Sequence, residues 1–545
     1  MRQVLNLPPP TTEATVAAVA SRRLPLERAR VGELAGVALL ITLAVLLRWP
    51  YLWDVPRFSD ELQEVLWSLR IADGEILPLT AVDSYYGPLW SYLLAGLFVL
   101  FGPSPGLPRL VAMLIGAGLV ALTYLFARDV AGRWPAAIAA GLMATSGGHI
   151  VINSHTSRSN STTPLLVVVA LWLVYRAVAE RGWDFGSGRI AARLPNPRLL
   201  VPAGFILGLA LQTHVSVIAL GPGIAAYVVW CGRRLLRTPW PSLAVLAALV
   251  GYSNMIAYNL LNGFWSLRHA HALQEAYTGG RSTDLDFYLS NLGNLLQSLS
   301  RLLSGTIDSP DSPGRLAYTL LAFLGLILVA RRGALLLPLA FMSVVAVLPY
   351  FNPRYGPILS GRYLIPLLPI AFTAIGCLVV VGARAGSASN SALERVGWRR
   401  LTVGAALLVA LYPLAPLHSY YEDAVADGRT NQALYRLVDA VVGTRQPGEV
   451  VLLDEGLAQE SLGAGGTDLK AFRMLLGTQG IPYEIGKVGE TDDVPLGNRG
   501  SKLFLMEAKK RALLPRAVNS APVSSEVASA SGSGHRYAVY RITSR

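Results

Sequence analysis

The chain has 545 residues, 52% of them apolar and 15% charged, with a mean hydropathy of +0.44 and a formal net charge of +13. That much hydrocarbon excludes a water-soluble globule, and apolar runs of bilayer-spanning length recur down to about residue 417. The basic excess does not point to nucleic acid, because the arginines lie in short clusters between apolar runs, the pattern of cytoplasmic loops.

Residues 1–30 are polar and proline-containing, then basic (Arg22, Arg23, Arg28, Arg30), and are expected in the cytoplasm. The run that follows lacks a small-residue cleavage site and reads as a retained first helix. Eleven apolar runs fall near 31–47, 107–127, 134–152, 164–179, 200–213, 216–231, 241–259, 316–330, 334–351, 363–382 and 401–417. A further one, Pro88 to Phe101, falls short of the roughly 20 residues a span needs. If it crossed, the arginine clusters around Arg128, Arg189, Arg233, Arg331 and Arg399 would face outward. Laid along the membrane, it returns all five to the side of Arg22 and Arg23. The expected fold is a polytopic α-helical membrane protein with about eleven transmembrane helices, plus juxtamembrane helices in one long outer loop, 48–106.

The same reasoning places 155–160, 260–315 and 352–363 outside. Residues 31–417 form the membrane domain, and 418–545 a small extracytoplasmic α/β domain with short β-like runs at Val450–Leu453, Lys502–Met506 and Tyr537–Tyr540. The Ser/Ala-rich stretch 520–534 reads as a loop. Cys231 and Cys377 belong to separate apolar runs and offer no disulfide or metal-ligand spacing.

Asp60 and Glu61 stand just beyond the first span, in Arg57-Phe58-Ser59-Asp60-Glu61-Leu62. Asp60 with Gln63 makes an N-terminal capping pair for a helix running to Leu69. One of the two carboxylates, at the mouth of an outward cavity, can also serve as a general base toward an acceptor hydroxyl. The readings are compatible. Further along, Asp83-Ser84-Tyr85-Tyr86-Gly87-Pro88 offers aromatic anchors at the lipid boundary, or a stacking surface for a sugar or an isoprenoid chain.

His155 is either a hydrogen-bonded loop residue or a ligand. Arg158, among Ser157, Ser159 and Asn160, has the rigid donor fork that suits a phosphate. Arg354 and Arg362 offer the same chemistry on another outer loop, with snorkelling toward lipid headgroups as the competing role. His214, in the break Leu211-Gln212-Thr213-His214-Val215-Ser216, marks either a tight outer turn or a cavity wall.

The order of these segments carries a resemblance. An acidic pair opens the first outer loop, Tyr85-Tyr86-Gly87-Pro88-Leu89 introduces an in-plane helix, and Pro108-Arg109-Leu110 leads a span that Ala127-Arg128-Asp129 closes. Ser157-Arg158, Leu209–His214 and Gly361-Arg362-Tyr363-Leu364-Ile365-Pro366 follow. This resembles the C-type (GT-C) glycosyltransferases, more narrowly the bacterial branch related to protein O-mannosyltransferases and lipid A aminoarabinose transferases. The likeness covers about residues 34–380 and is densest from 57 to 216.

The resemblance implies inverting transfer of a sugar from a polyprenyl-phosphate (dolichyl-phosphate-like) donor to a protein, lipid or glycan hydroxyl, on the extracytoplasmic side of the cell membrane. Asp60 then serves as catalytic base with Glu61 beside it, and Arg158, Arg354 and Arg362 hold the donor phosphate. Asp83, Tyr85, Tyr86, His155 and His214 are candidates for the cavity wall. No cofactor is required, a divalent cation being the one addition the family allows. Two departures stand out: a lysine common before the in-plane helix is absent, and Arg158 is followed by Ser159-Asn160 in place of the Pro-Asp of the family's second outer loop. Two rivals are a transporter or flippase of lipid-linked saccharides, with its charges near the midplane of paired half-repeats, and a non-catalytic family member.

Overall fold

The computed structural model describes residues 31–50, 52–53, 59–179, 181–192, 194–281, 284–306, 313–352, 358–387, 392–426, 432–458, 468–486, 501–513, 523–532 and 535–543. Four helices open it: α1 (Val31–Arg48), α2 (Ser59–Ala72), α3 (Leu89–Phe101) and α4 (Leu107–Ala131). In α4 a proline in the first turn costs no hydrogen bond, and Gly132, at φ 93°, closes the other end with its N–H on the Arg128 carbonyl. Its 25 residues reach about 37 Å, enough to cross a bilayer. The 13 residues of α3 reach only about 20 Å.

Six described helices are long and apolar enough to cross a membrane, or eight if each of two bent pairs counts once. One bend, of 56°, separates Arg133–Thr145 from Gly147–Ser154. Ser146 is extended there and caps the second helix by accepting the His149 N–H, and a Gly-Gly step follows it. The other, of 63°, falls between Trp240–Gly251 and Ser253–Leu261. A total of eleven spans requires three shorter apolar helices, Pro197–Thr213, Val215–Cys231 and Leu336–Phe351, to cross as well. The Leu200–Thr213 and Trp240–Gly251 helices approach closely on glycine: a Cβ on Gly204 or Gly208 would run into the carbonyl oxygens of Ala244 and Ala248.

The polar stretch 260–315 contains two helices, Trp265–Thr278 and Leu285–Ser304. The second buries Leu295, Leu299, Leu302 and Leu303 at helical spacing and presents a polar face opposite. Between two spans, β1 (Arg181–Asp184) and β2 (Arg189–Ala192) make an unforeseen antiparallel hairpin. Arg384 holds its turn through the carbonyls of Phe185 and Ser187.

At the C-terminus a five-stranded sheet comprises β3 (Val450–Asp454), β4 (Tyr483–Gly486), β5 (Ser501–Glu507), β6 (Val523–Gly532) and β7 (His535–Thr543) in the order β4-β3-β5-β7-β6. The β4-β3-β5 pairs are parallel and the β5-β7-β6 pairs antiparallel. The expected loop at 520–534 is corrected by β6. Serine and alanine give that segment little strand propensity of its own, and its pairing along β7 imposes the conformation. The sheet's Leu453, Leu503 and Val539 share one hydrophobic cluster with Leu62, Val65 and Leu69 of α2 and with Trp90, Leu94 and Phe98 of α3. The C-terminal region therefore lies on the same side of the helical bundle as α2.

Candidate active site at the start of α2

Helical geometry divides the three acids of α2 between faces. Asp60 and Glu64 lie about 40° apart around the axis, whereas Glu61 is turned about 100° from Asp60. Glu61 points into the protein, where Arg109 grips both its carboxylate oxygens at 2.9 and 3.3 Å and donates onward to the Leu52 carbonyl at 2.7 Å. Both side chains of that pair are 0% exposed. The structure thus separates Glu61 from Asp60.

Asp60 meets Arg158 at 2.9 Å, Oδ2 to Nη2, with its own side chain 46% exposed and that of Arg158 only 7%. Arg158 follows the 56° bend and precedes the Thr163–Val178 helix. Burial opposes its charge, but Asp60 and Glu64 together hold the guanidinium above its ordinary value. Among the described residues its Nε and Nη1 are buried and have no hydrogen-bond acceptor; Nε stands 3.9 Å from the Glu64 carboxylate. Arg362, in the 3-10 segment Ile358–Leu367, places Nη2 4.0 Å from the same Asp60 oxygen and donates to Tyr363 Oη at 2.8 Å. Its Nε is likewise buried without an acceptor.

Glu64 was not singled out by the sequence reading, and it organises the site. Its carboxylate accepts from the Ser159 N–H at 2.7 Å, from Ser159 Oγ at 3.2 Å and from Tyr86 Oη at 3.0 Å. Burial pushes its carboxyl up from the ordinary range, against Arg158 and these three donors. The available signal was its i, i+4 spacing from Asp60.

The Asp83 carboxyl is raised by burial and then by Asp60, with Arg158, His269 and Arg362 opposing, so it shares their electrostatic field. Tyr85 stacks at 6.0 Å on His269, which the sequence reading also missed, and burial pushes its hydroxyl pKa up. His214 packs at 4.6 Å against Tyr363. Burial, then Arg362 and Arg158, hold its pKa down to about 3. It is neutral, and its Nδ1 accepts the Ser216 N–H at 3.1 Å, which leaves the proton on Nε2.

His155 is elsewhere: Nε2 donates to the Arg48 carbonyl at 2.7 Å and Nδ1 meets Tyr421 Oη at 2.9 Å, tying α1 to the Leu414–Ala426 helix. Burial lowers its pKa to about 3. Arg354 lies outside the described residues. The donor set does not suit a divalent cation, because Asp60 Oδ2 already faces two guanidinium groups. Among the described residues no three His, Cys, Asp or Glu side chains gather.

The site therefore defines a class: a multi-pass membrane protein with a carboxylate set against two arginines that have spare donors. Residues 86–258 match the family model of dolichyl-phosphate-mannose-protein mannosyltransferases. The chain also shares its fold with ArnT from Cupriavidus metallidurans bound to undecaprenyl phosphate, at TM-score 0.57 and 14% identity, over 92% of this chain and 97% of that one. The apo state of ArnT gives TM-score 0.57 and 14% identity over 93% and 97%. No curated protein sequence matches. The resemblance to the GT-C glycosyltransferases thus holds in a sequence segment and in the fold.

Proposed function

We propose that the chain transfers a sugar from a polyprenyl-phosphate donor to an acceptor hydroxyl at the extracytoplasmic face of the cell membrane, with inversion at the sugar carbon. The observation that carries this reading is the buried Arg158 guanidinium, which keeps free N–H groups beside the Asp60 carboxylate. One nitrogen of Arg158 engages Asp60, and those left without an acceptor suit the oxygens of a phosphate.

As the glycosidic bond breaks, the departing polyprenyl phosphate gains negative charge. Arg158 and Arg362 stabilise that charge more than they stabilise the intact diester. On the opposite side of the sugar the acceptor oxygen bonds to the anomeric carbon, and Asp60 takes its proton. Neutral His214 supplies a further donor through Nε2–H. Glu64 takes no proton in this scheme; it fixes the Ser159 backbone and hence Arg158.

The outer face is supported by charge. Glu33, at the start of α1, pairs with Arg128 at 2.8 Å, and Asp129 pairs with Arg176 at 3.1 Å. The Asp60 site lies beyond the other end of α1, so the arginine-rich ends of the spans are opposite it. The acceptor is a protein, lipid or glycan hydroxyl. The test uses purified protein in nanodiscs with a panel of polyprenyl-phosphate sugars and acceptors. Asp60→Asn is expected to lower donor turnover by about 10²–10⁴ while leaving the fold intact. Equal turnover in the two proteins would remove Asp60 from the chemistry. Movement of intact lipid-linked sugar across the bilayer without turnover would replace the reading with a transporter.

A further inference from the structure

A helix as short as α2, with 14 residues, is marginal by itself in water and takes its stability and orientation from what it packs against. Its two faces are used differently. Asp60 and Glu64 face the site, whereas Leu62, Val65 and Leu69 lie in a hydrophobic cluster with Leu437, Phe472 and Leu476 of the C-terminal region. The Asp468–Gly477 helix packs directly on α2. At its last residue the approach is close enough that a Cβ on Gly477 would stand 3.5 Å from Leu69 Cδ1. A methyl group there would rest in ordinary van der Waals contact with Leu69, and a longer side chain competes with Leu69 for the same space.

We propose that the C-terminal sheet domain sets the orientation of α2, and through it the reach of Asp60 and the seating of Arg158. Leu69, Phe472 and Leu476 are positioning residues: none touches the reacting groups, and each acts through α2. The consequence for turnover rests on the transferase reading above; the docking rests on packing alone. The domain is a working part of the site, since a carboxylate displaced by about an ångström loses much of its effect on a proton transfer.

The test uses the full chain in nanodiscs. Gly477→Leu sets a larger side chain beside Leu69, Gly477→Ala adds only a methyl in contact with it, and Leu69→Ala added to Gly477→Leu makes room. In Gly477→Leu, amide exchange over residues 59–72 is expected to speed up and kcat to fall by about tenfold, more than donor KM rises. Gly477→Ala should match wild type, and the double variant should recover both exchange and kcat. If Gly477→Leu does not accumulate as folded protein, Leu69→Val, one methylene shorter, should shift both readouts the same way to a smaller extent.

Wild-type exchange over 59–72 in a folded Gly477→Leu protein would refute the docking. Faster exchange with unchanged kcat would leave the docking and refute the positioning. A wild type that turns over no donor would count against the transferase reading, and the exchange measurements would still decide the docking.

Discussion

Two neighbouring residues of α2 each form a carboxylate–guanidinium pair, and the pairs are unlike. Glu61–Arg109 has both side chains at 0% exposure and both carboxylate oxygens engaged, with Arg109 donating further to a carbonyl. Asp60–Arg158 is a single contact, with Asp60 46% exposed and Arg158 retaining two buried nitrogens without an acceptor among the described residues. A closed pair joins elements; an open pair leaves charge for something that arrives.

The sharpest break of this comparison is Glu61→Ala. It leaves the Arg109 charge buried without its carboxylate and should cost about 3–5 kcal/mol, read as a large fall in Tm or in the yield of folded protein. Replacing both partners together, Glu61→Leu with Arg109→Leu, should recover most of that stability and, with it, turnover. A double replacement of Asp60 and Arg158 has no such route back. If Glu61→Leu/Arg109→Leu proves stable yet inactive, the division between a structural and a chemical pair is wrong.

The next effect is in turnover. Arg158→Lys keeps one positive charge but gives up the planar fork, so it cannot face Asp60 and a phosphate at once through fixed donors. Donor turnover should fall by about 10–100-fold, with a rise in donor KM and little change in Tm. Unchanged donor KM would mean that the free nitrogens of Arg158 do not meet the phosphate.

Much of the membrane architecture was legible because hydrophobic length and arginine placement are local properties. The run Pro88–Phe101 forms a helix of 13 residues, shorter than the roughly 20 a span needs. The bends at Ser146 and Tyr252 went unread, although Thr145-Ser146-Gly147-Gly148-His149 and Gly251-Tyr252-Ser253-Asn254 interrupt the apolar runs there. So did β6, whose conformation comes from β7. At the site, Asp60 stood out as an acid opening an outer loop. The partner of Glu61 lies 48 residues away, and no spacing rule reaches that far. Glu64 hid for another reason: a glutamate in the second turn of a helix ordinarily faces solvent, and only the fold shows Ser159 and Tyr86 closing over it.

Glu64 also supplies the finest test of the comparison, because it stands between the two kinds of pair: buried like Glu61, yet facing Arg158. Burial raises its carboxyl from the ordinary value of 4.5. A raised acid stabilises the fold most when protonated; that contribution is fully present below pH 4.5 and is lost as pH rises through the higher folded-state value. Seating Arg158 requires the opposite form, since only the carboxylate balances its charge and offers both oxygens to Ser159 and Tyr86. Stability and turnover should therefore move in opposite directions across the same pH window. Glu64→Gln separates them. It should reduce turnover several-fold and abolish the acid limb that Glu64 contributes to the pH profile. It should also remove this residue's share of the stability loss with rising pH. A wild-type acid limb that persists unchanged in Glu64→Gln would assign that titration to another group, Asp83 first, because its carboxyl is also raised by burial and shares the field of Asp60.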